Sequence, residues 1–257
     1  NSGMGNAINP LASLVDRHVY SVPILLLIGW RGQPGTGDWP QHELQGEITT
    51  GLLEVMQIPY TILKDDIEYF RQALDKSVAY CLQSRQPYAL IAPKGVMAGV
   101  KENSKDGTYE MSREEAIETV LASMPEDTVY LATTGRATRE LFFLRAKRGE
   151  GREHDFLNVG AMGHASSVAL GIALERPGRN VAVLDGDSAA MMHMGAMSMM
   201  SKLAVPNYMH IVLNNGAHES VGGQPSGGHR IDFSAVAEAC GYQTVHKPAR
   251  NKEELTA

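Results

Sequence analysis

Residues 185–216 read DGDSAAMMHMGAMSMMSKLAVPNYMHIVLNNG, and this stretch decides the fold. An apolar run over 180–184 leads into an acidic glycine turn at Gly186–Asp187. A methionine-rich segment with helical spacing follows over 192–203, and a second apolar run, 208–213, ends in the amide pair Asn214–Asn215. Two short apolar runs separated by a helix spell strand, crossover helix, parallel strand. Both strands of such a unit end at one carboxyl edge, where open α/β sheets bind ligands. Asp187 and Asn215, 28 positions apart, therefore reach the same edge. Carboxylate, amide and backbone carbonyl oxygens are hard ligands of the kind Mg2+ prefers. A site with so little protein charge suits a cation whose other ligands are phosphate oxygens. Taken alone, the two turns also fit two ordinary strand ends, because GD and NN are common turn dipeptides.

The alternation continues outward. Residues 22–29 form a continuous apolar run, as in a strand buried on both faces of a parallel sheet. Pro10 opens a helix over 10–16, and helical spacing recurs over 43–56 and 66–84. Short strands are expected at 60–63 and 88–92. The polar stretch 94–109, with KENSKDG at its centre, reads as a linker. Ser112 with Glu115 then forms a capping box. Beyond it come strand 129–132, helix 138–148, a short strand or loop at 156–159, helix 165–174 and helix 233–240. The fold class is α/β, with two doubly wound parallel-sheet domains. We place the first at 1–95, the linker at 96–111 and the second at 112–257. The chain opens on NSGMGNAINP and stops at NKEELTA within a helical pattern, so it reads as truncated at both ends.

Bulk properties narrow the function. A chain of 257 residues buries a sizeable core. The net charge of −6 argues against general attraction to nucleic acid or an anionic membrane. Any anionic substrate must then be met by local basic groups. Cys81 and Cys240 lack metal-ligand spacing and read as buried helical thiols in a reducing compartment. No apolar run reaches bilayer-spanning length, and no signal peptide is visible. A cytoplasmic location is expected.

Further glycine turns gather in the second half. TTGRATRELF puts Thr133, Thr134 and Gly135 after a strand and before a helix, where backbone N–H groups favour anions. VGAMGHASSVALGIAL puts Gly160 and Gly163 around Ala161–Met162, with His164 opening a helix of small residues. Those small residues also serve close packing. Three glycine turns plus Asn-Asn, all at carboxyl edges of one domain, are harder to assign to packing.

These residues resemble the diphosphate-binding domain of thiamine-diphosphate-dependent decarboxylases. NSGMGNAINPLASL, LLLIGWRGQPGTGDWPQHELQG and LNNGAHESVGGQP extend the resemblance over nearly the whole chain, toward the phosphonopyruvate and sulfopyruvate decarboxylase branch. The resemblance implies a pyrimidine-binding domain first and a diphosphate-binding domain second, each truncated. It implies thiamine diphosphate and Mg2+ as cofactors. Asp187, Asn215 and the carbonyl of Ala217 would hold the metal. Thr134, Gly135, Gly186, Ser188 and Ala189 would meet the diphosphate. The Gly160 carbonyl would accept from the cofactor's 4′-amino group, with Ala161 beside it. Met162 would wedge beneath the cofactor. Ser188 departs from the pattern, which has glycine there. The activating Glu of this family falls upstream of Asn1, so no residue takes that role.

The implied activity is decarboxylation of a small 2-oxo acid, 3-phosphonopyruvate ahead of sulfopyruvate. The implied assembly is a homodimer or higher homo-oligomer, with no nucleic-acid or membrane partner. Arg31 and Arg136 are substrate candidates, with Arg139 a similar one; the resemblance implies an anion-facing or loop-shaping Arg31, which equally suits a solvated loop. Arg139 also suits pairing with Glu140 or Glu114. His218 is the candidate catalytic side chain, and His193 suits a core position. The methionines at 191–200 suit a helix–sheet interface. The stretch ESVGGQPSGG reads as a flap or a long surface loop. An NAD-linked oxidoreductase would need a G-x-G-x-x-G turn, which the chain lacks.

Overall fold

The computed structural model describes residues 1–97 and 109–257. Most of the linker expected at 96–111 lies outside the described residues. The chain divides into two compact units, Asn1–Val100 and Lys101–Ala257.

The first unit opens with α1 (Met4–Pro10), earlier than the helix expected from Pro10. Pro10 has no N–H to donate to the preceding turn, and the chain widens into a π-type turn over Leu11–Val15. Three parallel strands follow, β1 (Leu25–Gly29), β2 (Tyr60–Ile62) and β3 (Tyr88–Ala92), in the order β1-β3-β2. The expectation that 22–29 is buried on both faces is corrected. β1 is an edge strand, with Leu25 39% and Leu27 57% exposed. The central strand is β3, buried at every position. Its residues Ala89 and Ile91 pack with Met4, Leu53 and Ile28. Tyr88, Leu90 and Ala92 face the opposite way, against Ala73 and Cys81. Leu53 belongs to α2 (Pro40–Val55), which starts at Pro40 because proline suits the first helical turn. Ala73 and Cys81 belong to α3 (Ile67–Ser84), capped by the Asp66 carboxylate on the amides of Glu68 and Tyr69. Helices thus cover both faces of the sheet.

The second unit begins with α4 (Arg113–Ser123), and its N-terminus carries the expected Ser112–Glu115 capping box. Then come β4 (Val129–Ala132), α5 (Arg136–Lys147), β5 (Asp155–Leu157), α6 (Ala165–Glu175), β6 (Val181–Gly186) and α7 (Asp187–Met192). They are followed by α8 (Met197–Leu203), β7 (Tyr208–Leu213), α9 (Phe233–Cys240) and α10 (Lys252–Thr256). The four strands are parallel, in the order β5-β4-β6-β7. The chain steps from β4 to β5 in one direction, then returns to place β6 on the other side of β4. Strand order therefore reverses between β4 and β6. Tyr130, Ala132, Ala182 and Leu184 pack against Ile117, Leu141 and Leu144 of α4 and α5. Leu131, Val181 and Val183 face Ala165, Ala169 and Ala173 of α6, whose small side chains let helix and sheet approach closely.

The helix expected over 192–203 is broken. α7 stops at His193 (φ −129°, ψ 43°), a 3-10 turn spans Met194–Ala196, and α8 resumes. Met197 and Met200 are buried, whereas Met192 and Met199 are 42% and 49% exposed. Only the inner methionines fill the helix–sheet interface. Cys81 is buried and Cys240 only partly so. Among the described residues no helix is long and apolar enough to cross a membrane.

Candidate functional site

β6 and β7 are in parallel register, with Gly186 opposite Leu213. The next residues, Asp187 and Asn214, therefore leave the sheet together. β4 ends beside them: its last residue, Ala132, pairs with Leu184, and the methyl of Thr133 lies 3.6 Å from where a Cβ on Gly186 would stand. The reversal of strand order thus falls between the turn Thr133–Gly135 and the turn Gly186–Asp187. Such a switch point is where an open α/β sheet offers a crevice.

The chemistry of this edge is polar and under-satisfied. Asp187 is only 2% exposed, and among the described residues a single hydroxyl, that of Ser226, donates to its carboxylate. A buried carboxylate with so few partners calls for a cation or further donors. The hydroxyls of Thr133 and Ser188 are also buried without a hydrogen-bond partner. Gly135 precedes α5 with φ 104° and no side-chain cap on the helix, so the first amides of α5 are free for an oxyanion. These orphaned groups fit a diphosphate bridged by a divalent cation.

The amide pair divides its work. Asn214 Oδ1 accepts from the Gly216 amide at 3.1 Å, and its Nδ2 donates to the Gly228 carbonyl at 3.0 Å. A Cβ on Gly228 would collide with both Asp187 Oδ2 and Asn214 Oδ1, so those two oxygens converge on one point. Asn215 Oδ1 instead accepts from the Ala217 amide at 3.2 Å. The Asn215 carbonyl accepts from the Tyr109 hydroxyl at 3.0 Å. Ala217 pairs with Pro225 in an isolated antiparallel bridge, and the His218 amide donates to Gln224 at 2.8 Å. The stretch ESVGGQPSGG is therefore a folded hairpin-like loop laid over the Asp187 turn. Ser220 touches Gly135 from above, its Cβ 3.2 Å from the position of a Cβ there.

The glycine turn before α6 is held from two sides. The buried Thr138 hydroxyl lies 2.9 Å from Ala132 O, 2.8 Å from Thr133 O and 2.9 Å from Asn158 O. It joins the end of β4 to the loop carrying Gly160. Ala161 sits at φ 46°, a left-handed conformation costly for a residue with a Cβ. Half-buried Met162 follows. Gly163 has φ 86°, and His193 Cδ2 lies 2.5 Å from where its Cβ would stand. The His193 and His164 rings are 4.4 Å apart, and His193 Nε2 is buried without a partner. His193 therefore ties the end of α7 to the Met162 loop.

Basic groups lie at the rim. Arg136 is half-exposed, with Glu219 at 3.9 Å. Arg139 donates to the Gly135 carbonyl at 3.1 Å, which corrects its expected pairing with Glu140 or Glu114. Glu140 is taken by Arg113, which donates to it twice at 2.7 Å and reaches Glu219 at 2.8 Å. Burial opposes the Arg113 charge, but Glu140 and Glu219 outweigh it and push its pKa up.

In the first unit, Arg31 is bound by its own loop. It donates to Asp38 at 3.0 and 3.2 Å, and His42 Nδ1 lies 2.9 Å from both partners. Hydrogen bonds from Arg31, His42, Trp39 and Gly32 hold the Asp38 carboxyl well below the usual carboxylate range. This geometry favours the loop-shaping reading of Arg31.

Residues 134–257 match the family model described as "Thiamine pyrophosphate enzyme, C-terminal TPP binding domain". A sulfopyruvate decarboxylase of Methanosarcina acetivorans is 30% identical, over 96% of this chain and 67% of that protein. The chain belongs to the thiamine pyrophosphate enzyme family. Two further members, the phosphonopyruvate decarboxylases of Streptomyces viridochromogenes and Streptomyces hygroscopicus, are 37% and 36% identical over 96% of the chain. The chain covers 64% and 63% of those proteins, so it spans less than two thirds of their length. The matched TPP-binding segment begins at Thr134, in the turn after β4, and takes in every residue of the crevice from Thr134 to Gly228.

Several residues lining or bracing this crevice carry no signal in the sequence alone. Ser226, Gly228 and Thr138 carry no motif of their own. Asp185 and His210 did leave a trace, as polar residues inside apolar strands. They pair at 3.2 Å in the buried sheet, and the Asp185 carboxylate also accepts from the Gly186 amide at 3.0 Å.

Proposed function

We propose that the protein is a Mg2+- and thiamine-diphosphate-dependent decarboxylase acting on 3-phosphonopyruvate, giving phosphonoacetaldehyde and CO2. The observation that carries this reading is the convergence at the β4–β6 switch point. There a buried, nearly unpartnered Asp187 stands beside the Asn214–Asn215 turn and the orphaned hydroxyls of Thr133 and Ser188. Asp187, Asn215 and the Ala217 carbonyl would hold the metal, with Asn214 bracing the turn. Thr134, Gly135, Gly186, Ser188 and Ala189 would line the diphosphate.

Bound there, thiamine diphosphate supplies a nucleophilic carbon and an electron sink for loss of CO2. The chain's own residues bind and orient. The left-handed turn at Ala161 would hold the Gly160 carbonyl as an acceptor and Met162 as a wedge for the cofactor. His193 keeps that turn in place through Gly163. The loop 217–230 covers the Asp187 turn and excludes water from it. His218 and Arg136, on the loop and the start of α5, are the groups offered to an anionic substrate.

The greater identity to phosphonopyruvate decarboxylases favours phosphonate over sulfonate. Every diphosphate-lining residue named here belongs to the second unit, and among the described residues the first unit carries no such turn. We therefore assign the active species as at least a homodimer, which sedimentation of the full-length protein tests. The substrate test is CO2 release from 3-phosphonopyruvate and from sulfopyruvate under the same conditions. We expect kcat/KM to favour the phosphonate at least about tenfold, or about 1.4 kcal/mol. Equal or reversed preference would overturn the substrate assignment while leaving the cofactor site standing.

A further inference from the structure

The loop that covers the Asp187 turn contains two residues that no motif marks. Ser226 sits where three bonds meet. Its hydroxyl donates to Asp187 Oδ2 and accepts from the Gly228 amide at 3.1 Å. Its own amide donates to the Gly216 carbonyl at 2.7 Å. Gly216 in turn donates to Asn214 Oδ1 at 3.1 Å. Ser226 thereby links the β6 turn to the β7 turn, the two halves of the crevice. Gly228 completes the brace. Its carbonyl accepts from Asn214 Nδ2 at 3.0 Å, and it is packed so closely against Asp187 and Asn214 that no Cβ fits.

We propose that Ser226 is a positioning residue for the Asp187 carboxylate, fixing which of its oxygens faces the cation, and that Gly228 keeps the space this requires. The proposal rests on the reading of Asp187 as a metal ligand. A carboxylate with one oxygen engaged by a hydroxyl presents the other in a set direction. Oxygen ligands of Mg2+ must meet near-ideal octahedral geometry, so direction matters for that ion. Outer partners of metal ligands typically govern affinity by about 10–100-fold. A purely structural serine would hold the loop without touching cation affinity.

The experiment titrates Mg2+ at fixed thiamine diphosphate on the full-length protein. Binding is read by calorimetry, and thermal unfolding without cofactor serves as the control for folding. We expect Ser226→Ala to raise the Mg2+ concentration for half-maximal cofactor binding by about 10–100-fold in a protein that still unfolds in one cooperative transition. Ser226→Thr, which keeps the hydroxyl, should stay within about threefold of wild type. Gly228→Ala should raise that Mg2+ concentration at least as much as Ser226→Ala. Unchanged Mg2+ dependence in Ser226→Ala overturns the proposal, and so does equal loss in the alanine and threonine variants. Asp187→Ala separates the two levels. If it weakens binding while Ser226→Ala does not, only the role of Ser226 falls. If Asp187→Ala binds like wild type, the metal reading falls and the Ser226 proposal with it.

Discussion

Gly186 at the end of β6 lies directly opposite Leu213 at the end of β7, so Asp187 and Asn214 leave the sheet at one point of its carboxyl edge. That single register relation makes a site of two turns 27 positions apart in the chain. A slip of one residue would turn Asp185 and Asp187 over relative to their neighbours and scatter the pair.

Met162 follows a residue held at φ 46°, and the loop around it is locked by His193 against Gly163. A backbone fixed on both sides of Met162 sets where its side chain starts, which suits a wedge that would shape a bound cofactor. We expect Met162→Ala to lower kcat about tenfold or more, a barrier change of about 1.4 kcal/mol, while cofactor affinity stays within about twofold. Steady-state kinetics beside calorimetry checks this. Full kcat in the variant would make Met162 a packing residue only.

Gly135 combines φ 104° with the close approach of Ser220. An alanine there must strain its backbone, at about 1–3 kcal/mol, and push the covering loop away. Gly135→Ala should lower both the melting temperature and thiamine-diphosphate affinity, read by thermal unfolding with and without cofactor. A variant that melts and binds like wild type would contradict this account of the turn.

Much of this was legible in the chain. The apolar runs and their turns placed β4, β6 and β7 correctly, because period and length separate short buried strands from helices. The edge they share followed from parallel connection alone. Other parts depended on tertiary contacts that no periodicity records. The run 22–29 looked doubly buried, yet in its own unit it is an edge strand, since composition cannot tell which strand sits in the middle. The helix over 192–203 broke at His193, where the chain turns that ring toward Gly163. Ser226 and Gly228 came to Asp187 only because the loop 217–230 folds back through the Ala217–Pro225 bridge. Arg31 could not be read in advance either, because its partner Asp38 is fixed by the turn between them.

Arg145 is 8% exposed and ties α5 to β5 through Asp155 and Glu150. Removing the cation leaves the fully buried Asp155 side chain without its partner. Arg145→Leu should cost about 3–5 kcal/mol of unfolding free energy, measured by urea denaturation. A loss under about 1 kcal/mol, the range of an exposed pair, would mean that water reaches this network.

Hydrogen bonds from the Ser112 amide and hydroxyl, and then from Lys252, bring Glu115 from its usual 4.5 down to about 2. A lowered folded-state pKa stabilises above the unfolded value and ceases to do so as pH falls through the folded one. The contribution of the Glu115 charge should therefore be complete above pH 4.5 and vanish as pH falls from 4.5 to about 2. Glu115→Gln keeps the capping-box geometry without the charge. Urea midpoints of the two proteins should differ at pH 6 and converge on acidification, about as far as that window predicts. A difference that stays constant or widens at low pH would contradict the assignment.

The central proposal is that Asp187 would hold a divalent cation at the crevice between β4 and β6 and so make cofactor binding depend on that ion. Calorimetric titration of thiamine diphosphate into wild type and Asp187→Ala, each with and without Mg2+, tests it most directly. The account predicts that wild-type binding requires Mg2+ and that Asp187→Ala loses at least about 100-fold in affinity, or about 2.7 kcal/mol, together with that requirement. Binding by Asp187→Ala with wild-type affinity and unchanged Mg2+ dependence would contradict it.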